Sequence, residues 1–239
     1  MSKKKKFFIA LTAVILIFAI VFSLILAIKI IPEEKAKKDR EIAVQAYIQN
    51  KLNIYEQENA LYDDYEVEVA FLGDSLTDGC DLKTYYPEFV TSNRGIGGDT
   101  TYTVIDRLKI SVYDLKPKVI VMLIGANNME TMFDNYEDIL KGFKDNLPQT
   151  KIVLCSLTAM GGEHWGRKNQ IACYNNVKIK KYAENYGYEF VDLYTPLFNE
   201  KTGEVYEGLT VDGGHFTHEG YLVVSSQIKP VLQKVLNKV

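Results

Sequence analysis

Val67-Glu-Val-Ala-Phe-Leu-Gly-Asp-Ser-Leu-Thr-Asp-Gly79 sets the pattern of the chain: a short β-rich apolar run, Val67 to Leu72, breaks off at a polar, glycine-flanked turn. Comparable runs recur at Phe89 to Asn93, Lys118 to Gly125, Lys151 to Leu157 and Tyr188 to Asp192. Between and after them lie segments with helical spacing, Thr101 to Leu115, Asn135 to Leu147, Lys168 to Tyr186 and His218 to Val239. The last carries Leu222, Val223, Ile228, Val231, Leu232 and Val235 on its apolar side. Strand alternating with helix predicts a parallel sheet covered on both faces, an α/β domain over residues 67–239. A chain of 239 residues holds one such well-buried domain and an N-terminal extension.

In a sheet of this kind ligands bind outside the carboxyl ends of the strands, where the strand-to-helix loops gather. Four polar stretches fall there: Gly73 to Gly79, Asn93-Arg-Gly-Ile-Gly-Gly-Asp99, Gly125-Ala-Asn-Asn128 and Asp212-Gly-Gly-His215. A serine hydroxyl becomes a useful nucleophile only when a base takes its proton and a third group orients that base. Ser75, His215 and Asp212 supply these three roles, and the Asp-x-x-His spacing lets one loop present carboxylate and imidazole together. Acyl transfer also needs donors for the developing oxyanion. The main-chain N–H groups of Ser75 and Gly98 and the side-chain amide of Asn127 are the candidates, with Asn128 as a rival.

Taken together, Gly73-Asp-Ser-Leu-Thr77, Gly98 before Asp-Thr, Asn127 and Asp212-x-x-His215 resemble the four sequence blocks of the SGNH, or GDSL, hydrolases. The resemblance covers nearly all of Val67 to Val239 in the family's order. It implies a three-layer α/β/α sandwich with a flavodoxin-like, five-stranded parallel sheet. It further implies Ser75 as nucleophile, His215 as base, Asp212 as its orienting carboxylate, and Ser75, Gly98 and Asn127 as oxyanion donors. The chain departs at Asn128, where the family often carries Asp. The family includes esterases, lipases, thioesterases and carbohydrate acetylesterases, and its chemistry needs no metal or organic cofactor. The expected reaction is hydrolysis of carboxylic esters through an acyl-enzyme on Ser75, on small-acyl esters of extracytoplasmic glycans or lipids. Long-chain lipase or lysophospholipase activity and O-acyl transfer are the alternatives, and an idle surface protein that binds glycan or lipid is a reading of another class.

Other readings of the same residues are weaker. His215 and His218 with Asp212 could be drawn as a metal site, but a loop spacing of three between the histidines, with no further obvious ligand nearby, is weak against the Ser-His-Asp reading. Gly95-Ile-Gly-Gly98 does not follow the dinucleotide-binding spacing, and nothing matches the G-x-S-x-G nucleophile elbow. His164 and Trp165, in the Gly161-Gly-Glu-His-Trp-Gly166 loop, either border the substrate pocket or lie on an exposed loop without a role.

Upstream, Phe7 to Ile28 is uncharged for 22 residues, broken only by Thr12 and Ser23, a length of about 33 Å as a helix. A transmembrane anchor over residues 1–31 is expected in preference to a cleaved signal peptide. Lys3, Lys4, Lys5 and Lys6 ahead of it favour a single-pass protein of the cell membrane, with a cytoplasmic N-terminus and an extracytoplasmic catalytic domain. Residues 32–66, rich in Glu, Lys, Gln and Ala with Val44, Ile48, Leu52 and Tyr55 at helical spacing, read as a helical stalk or linker. Without the four N-terminal lysines the chain has 24 basic against 31 acidic residues, a balance that argues against nucleic acid as a partner. Cys80, Cys155 and Cys173 show neither zinc spacing nor a disulfide framework, although a single bridge stays open.

Overall fold

The computed structural model describes residues 1–238 and falls into two compact units, residues 1–50 and the chain from Lys51 onward. In the first, helix α1 (Lys3–Ile25) starts on Ser2, whose hydroxyl accepts a hydrogen bond from the Lys5 N–H. None of its residues is buried. It is long and apolar enough to cross a membrane, with a mean hydropathy of 3.1 over its richest 18 residues. A π-helical turn follows at Leu26–Ile30, and α2 (Ile31–Asn59) continues from it. Pro32 explains the turn, because its ring lacks an N–H and crowds the carbonyl four residues earlier.

The second unit begins inside the segment read as a linker. Within it the end of α2 packs tightly: Tyr55 is 1% exposed and its hydroxyl donates to the Gly95 carbonyl at 2.6 Å. Glu58 pairs with the fully buried Arg94 at 3.1 Å and accepts from Ser92 Oγ. Lys51 pairs with Asp78, and Asn59 Nδ2 donates to the Ile110 carbonyl. One face of this charged helix end, carrying Tyr55, therefore packs on the catalytic unit while Asn53, Ile54, Glu56 and Gln57 stay exposed.

Five parallel strands follow: β1 (Val69–Gly73), β2 (Thr91–Gly95), β3 (Val119–Leu123), β4 (Lys151–Cys155) and β5 (Glu189–Val191). Their order is β2-β1-β3-β4-β5, the flavodoxin-like arrangement. Every residue of β1 and β3 is buried, as expected of strands covered on both faces. The helices are α3 (Ser75–Asp78), α4 (Leu82–Tyr85), α5 (Thr101–Asp106), α6 (Tyr136–Asn146), α7 (Gly162–Trp165), α8 (Asn169–Tyr186) and α9 (His218–Val235). Contacts between α4 and α9, between α5 and α6, and of α8 with β4 and β5 build the two outer layers of the sandwich. A two-stranded ribbon, β6 (Phe198–Asn199) and β7 (Glu204–Val205), lies between β5 and α9.

Four predicted elements differ in extent. The first strand starts at Val69; the second starts at Thr91, a polar run whose Ser92 and Arg94 are buried against Glu58. The predicted helix from Thr101 to Leu115 is α5 followed by a π-helical segment, Lys109–Tyr113; Thr101, Thr103, Val104, Ile105 and Val112 are all poor helix formers. The final helix ends at Val235, and Val239 lies outside the described residues. All three cysteines are free thiols.

Candidate active site

β1 ends at Gly73, and Asp74 turns the chain into α3 so that Ser75 is the first residue of that helix. Its amide, like those of any first helical turn, has no acceptor inside the helix. Asp74 caps the turn through an N–H bond from Leu76 at 3.1 Å. Burial pushes the Asp74 carboxyl up to about 7; the Leu76 N–H opposes this and the charge of Asp99 adds to it.

The second contribution comes from a tight turn ahead of α9, where Val211 N–H donates to the His215 carbonyl. Asp212 Oδ1 accepts from the main-chain N–H groups of Gly214 (2.9 Å) and His215 (2.8 Å). Its Oδ2 lies 2.7 Å from His215 Nδ1. A carboxylate only accepts, so the ring proton sits on Nδ1 and Nε2 is left as an acceptor. Nε2 stands 2.9 Å from Ser75 Oγ, which can donate to it. Burial by itself raises the Asp212 carboxyl, but the His215 N–H, its Nδ1–H and the Gly214 N–H outweigh that and hold it down to about 2.

The third and fourth loops are tied to each other. Asn127 Nδ2 donates to the Asp99 carbonyl at 2.8 Å, which leaves its second amide hydrogen for another acceptor. Gly98 has φ +85°, a conformation that side chains disfavour, and open space where a Cβ would stand. Behind it Asp99 is buried against Arg107, whose Nε donates at 2.7 Å, and accepts from Thr103 Oγ1 at 2.9 Å. Arg107 also donates to the Gly73 carbonyl at 3.1 Å, joining this loop to the end of β1 two residues before Ser75. Asn128 bonds Thr101 through both ends of its amide and is absent from the pocket lining.

A cleft of about 310 Å³, open mouth included, collects Asp74, Ser75, Leu76, Ala126, Asn127, Thr158, Met160, Trp165, Gly214 and His215. The predicted Ser75, Asn127 and His215 thus share one pocket, Asp212 touches His215, and Gly98 sits beside the lining, one residue from the carbonyl that holds Asn127. His218 lies 2.9 Å from the Tyr85 hydroxyl and does not line the cleft. Among the described residues no cluster of three or more His, Cys, Asp or Glu side chains could hold a metal ion. Sequence reasoning missed Asp99 and Arg107, two charged residues eight apart whose pairing only the folded loop reveals.

The arrangement places a serine, an imidazole held by a carboxylate, and a side-chain amide around one cleft. The sequence profile of the GDSL-like lipase/acylhydrolase family matches residues 71–223. Over 107 residues, 41% of this chain and 47% of the relative, the chain is 36% identical to the platelet-activating factor acetylhydrolase IB subunit alpha2 of Rattus norvegicus and of Homo sapiens. The chain thus matches about half the length of these curated relatives. Among solved structures, a GDSL-like lipase from Bacteroides thetaiotaomicron superposes with TM-score 0.68 at 26% identity, covering 77% of this chain and 97% of that one. An acetyl xylan esterase from Geobacillus stearothermophilus shares the fold with TM-score 0.57 at 21% identity, over 71% and 95% of the two chains. With its profile match running from β1 into α9, across both Ser75 and His215, this chain belongs to the GDSL-like lipase/acylhydrolase family of ester-bond hydrolases.

Proposed function

We propose that this protein hydrolyses small-acyl carboxylic esters through an acyl-enzyme on Ser75, at the outer surface of a membrane. The observation that carries the reading is the pair of short contacts along Ser75 Oγ, His215 Nε2, His215 Nδ1 and Asp212 Oδ2, at 2.9 and 2.7 Å. Ser75 Oγ attacks the ester carbonyl while His215 takes its proton; Asp212 holds the Nδ1–H tautomer and stabilises the imidazolium. The oxyanion is received by the Ser75 and Gly98 amides and the free hydrogen on Asn127 Nδ2. His215 then protonates the departing alcohol, and water, deprotonated by the same imidazole, releases the acid.

The limited cleft beside Ser75 favours acetyl and other short acyl groups, in keeping with the acetyl-ester names of two of the relatives. The apolar α1 serves as the anchor and the lysines before it keep the N-terminus cytoplasmic, so the catalytic domain meets extracytoplasmic glycan or lipid esters. Residues 1–31 form that anchor, and the linker from residue 32 leads into the catalytic domain.

The test is hydrolysis of p-nitrophenyl esters from acetate to palmitate by the full-length protein, with Ser75→Ala alongside. Activity that is highest at acetate and lost in Ser75→Ala is expected. Equal turnover by Ser75→Ala overturns the mechanism, and an optimum at long chains moves the substrate to lipids.

A further inference from the structure

The cleft has one wall that the catalytic chemistry does not use. Trp165 lies at the end of α7, and its indole rests on the main chain of Gly214, the residue before the base. A Cβ added at Gly214 would come within 2.9 Å of indole Cε2 and Nε1, so the ring fills the space that a side chain there would take. The indole also stands perpendicular to the His215 ring at 6.3 Å between centroids. Leu76, Ala126, Thr158 and Met160 complete the lining near it.

The wall is fixed from behind. Gly161 N–H donates to the Gly213 carbonyl at 2.8 Å, and Gly162 N–H to Glu204 Oε2 at 3.0 Å. Asn169 bonds both the N–H and the carbonyl of Met160. Lys168 Nζ sits 4.7 Å from the centre of the Trp165 ring, within cation–π range. The ring thus sits on a glycine, within reach of a lysine, on a segment bonded at Gly161, Gly162 and Asn169, and forms one wall of the cleft.

The geometry points to Trp165 as the residue that sets acyl-chain length, by ending the acyl pocket a few carbons from Ser75. This rests on Ser75 being the nucleophile, and the experiment separates the two. Ethyl p-nitrophenyl methylphosphonate and hexylphosphonate are reacted with the full-length protein. Ser75 Oγ bonds to phosphorus, p-nitrophenolate leaves, and the serine proton passes to His215; intact mass reads the adduct, so turnover is not needed. The wild type should react readily with the methyl reagent and poorly with the hexyl one.

In Trp165→Ala the hexyl-to-methyl rate ratio should rise about sixtyfold, at roughly fourfold for each of three further buried methylenes. Trp165→Phe, which keeps a ring on the same seat, should give an intermediate ratio and stands in if the alanine variant fails to fold. Since the chain has a single tryptophan, the wild-type emission should also shift when the methyl adduct forms. An unchanged hexyl-to-methyl ratio in the folded variants overturns the role of Trp165, as does a variant that alters only the preference for the ester's alcohol. No adduct on wild-type Ser75 with either reagent overturns the nucleophile, and the wall with it.

Discussion

Asn127 and Asp99 are joined by a hydrogen bond from the Asn127 side-chain amide to the Asp99 carbonyl, 2.8 Å long, that links the loop after β3 to the loop after β2. One hydrogen of the amide is spent on this bond, and its direction fixes the other. Asn127→Ala should therefore lower kcat by about 10² to 10³ while KM changes little, the signature of a donor used mainly in the transition state. Steady-state kinetics on p-nitrophenyl acetate measure both; a rise in KM with unchanged kcat would place Asn127 in substrate binding instead.

Asp212→Asn should reduce kcat by about 10⁴, because an amide at this position no longer selects the Nδ1–H tautomer. The wild-type carboxyl, held at about 2, is ionised across the working range of an esterase. It follows that the acid limb of the pH–rate profile in the wild type should not be assigned to Asp212. Its stabilising effect on the fold is present above the ordinary 3.8 and lost as pH falls through about 2.

Asp74 gives the opposite sign. Its folded value of about 7 lies above the ordinary 3.8, so the folded chain binds the proton more tightly than the unfolded one. Its contribution favours folding below about 4 and is withdrawn as pH rises to about 7, by on the order of a few kcal/mol. Asp74→Asn should flatten this part of the stability curve. Urea denaturation at pH 5 and pH 8 checks it: the wild type should lose more stability between the two than the variant does.

Glu58→Ala should destabilise the catalytic unit by about 3 kcal/mol, the low end for removing one partner of a buried ion pair, since Glu58 keeps 25% side-chain exposure. Arg94, fully buried, would then lack its counter-charge. A chain cut at Val67 loses Tyr55 and Glu58 together and should fail to fold, whereas one cut at Glu33 retains both. Thermal melts of the two fragments and of Glu58→Ala provide the comparison.

How far the sequence could be read follows from what buries each element. β1 and β3 are continuous apolar runs, covered on both faces, and their existence was plain, although β1 starts two residues later than read. β2 reads Thr-Ser-Asn-Arg-Gly and owes its burial to Tyr55 and Glu58, far upstream, so periodicity misplaced it by two residues. At the end of α2 the apolar stripe ending in Tyr55 was visible, but packing on the domain could not be told from a solvated spacer, because the buried partner Arg94 lies far along the chain. Ser75 and Asn127 stood out as polar residues just past strand ends, and His215 through its Asp-x-x-His spacing ahead of the last helix. The Asp99–Arg107 pair was not, since two charges on a loop and a helix look like surface. Trp165 gains its position from the missing side chain of Gly214, a relation between loops that no local pattern encodes.

Asp212 and His215 are each nearly half exposed, at 47% and 45% of the side chain. On a Ser75 mechanism, one doorway then serves both the departing alcohol and whatever comes to collect the acyl group. On that mechanism the partition between acid and a new ester would turn on which hydroxyl crowds the threshold. In dilute buffer that is water; against a dense polyol surface, the neighbourhood decides the product.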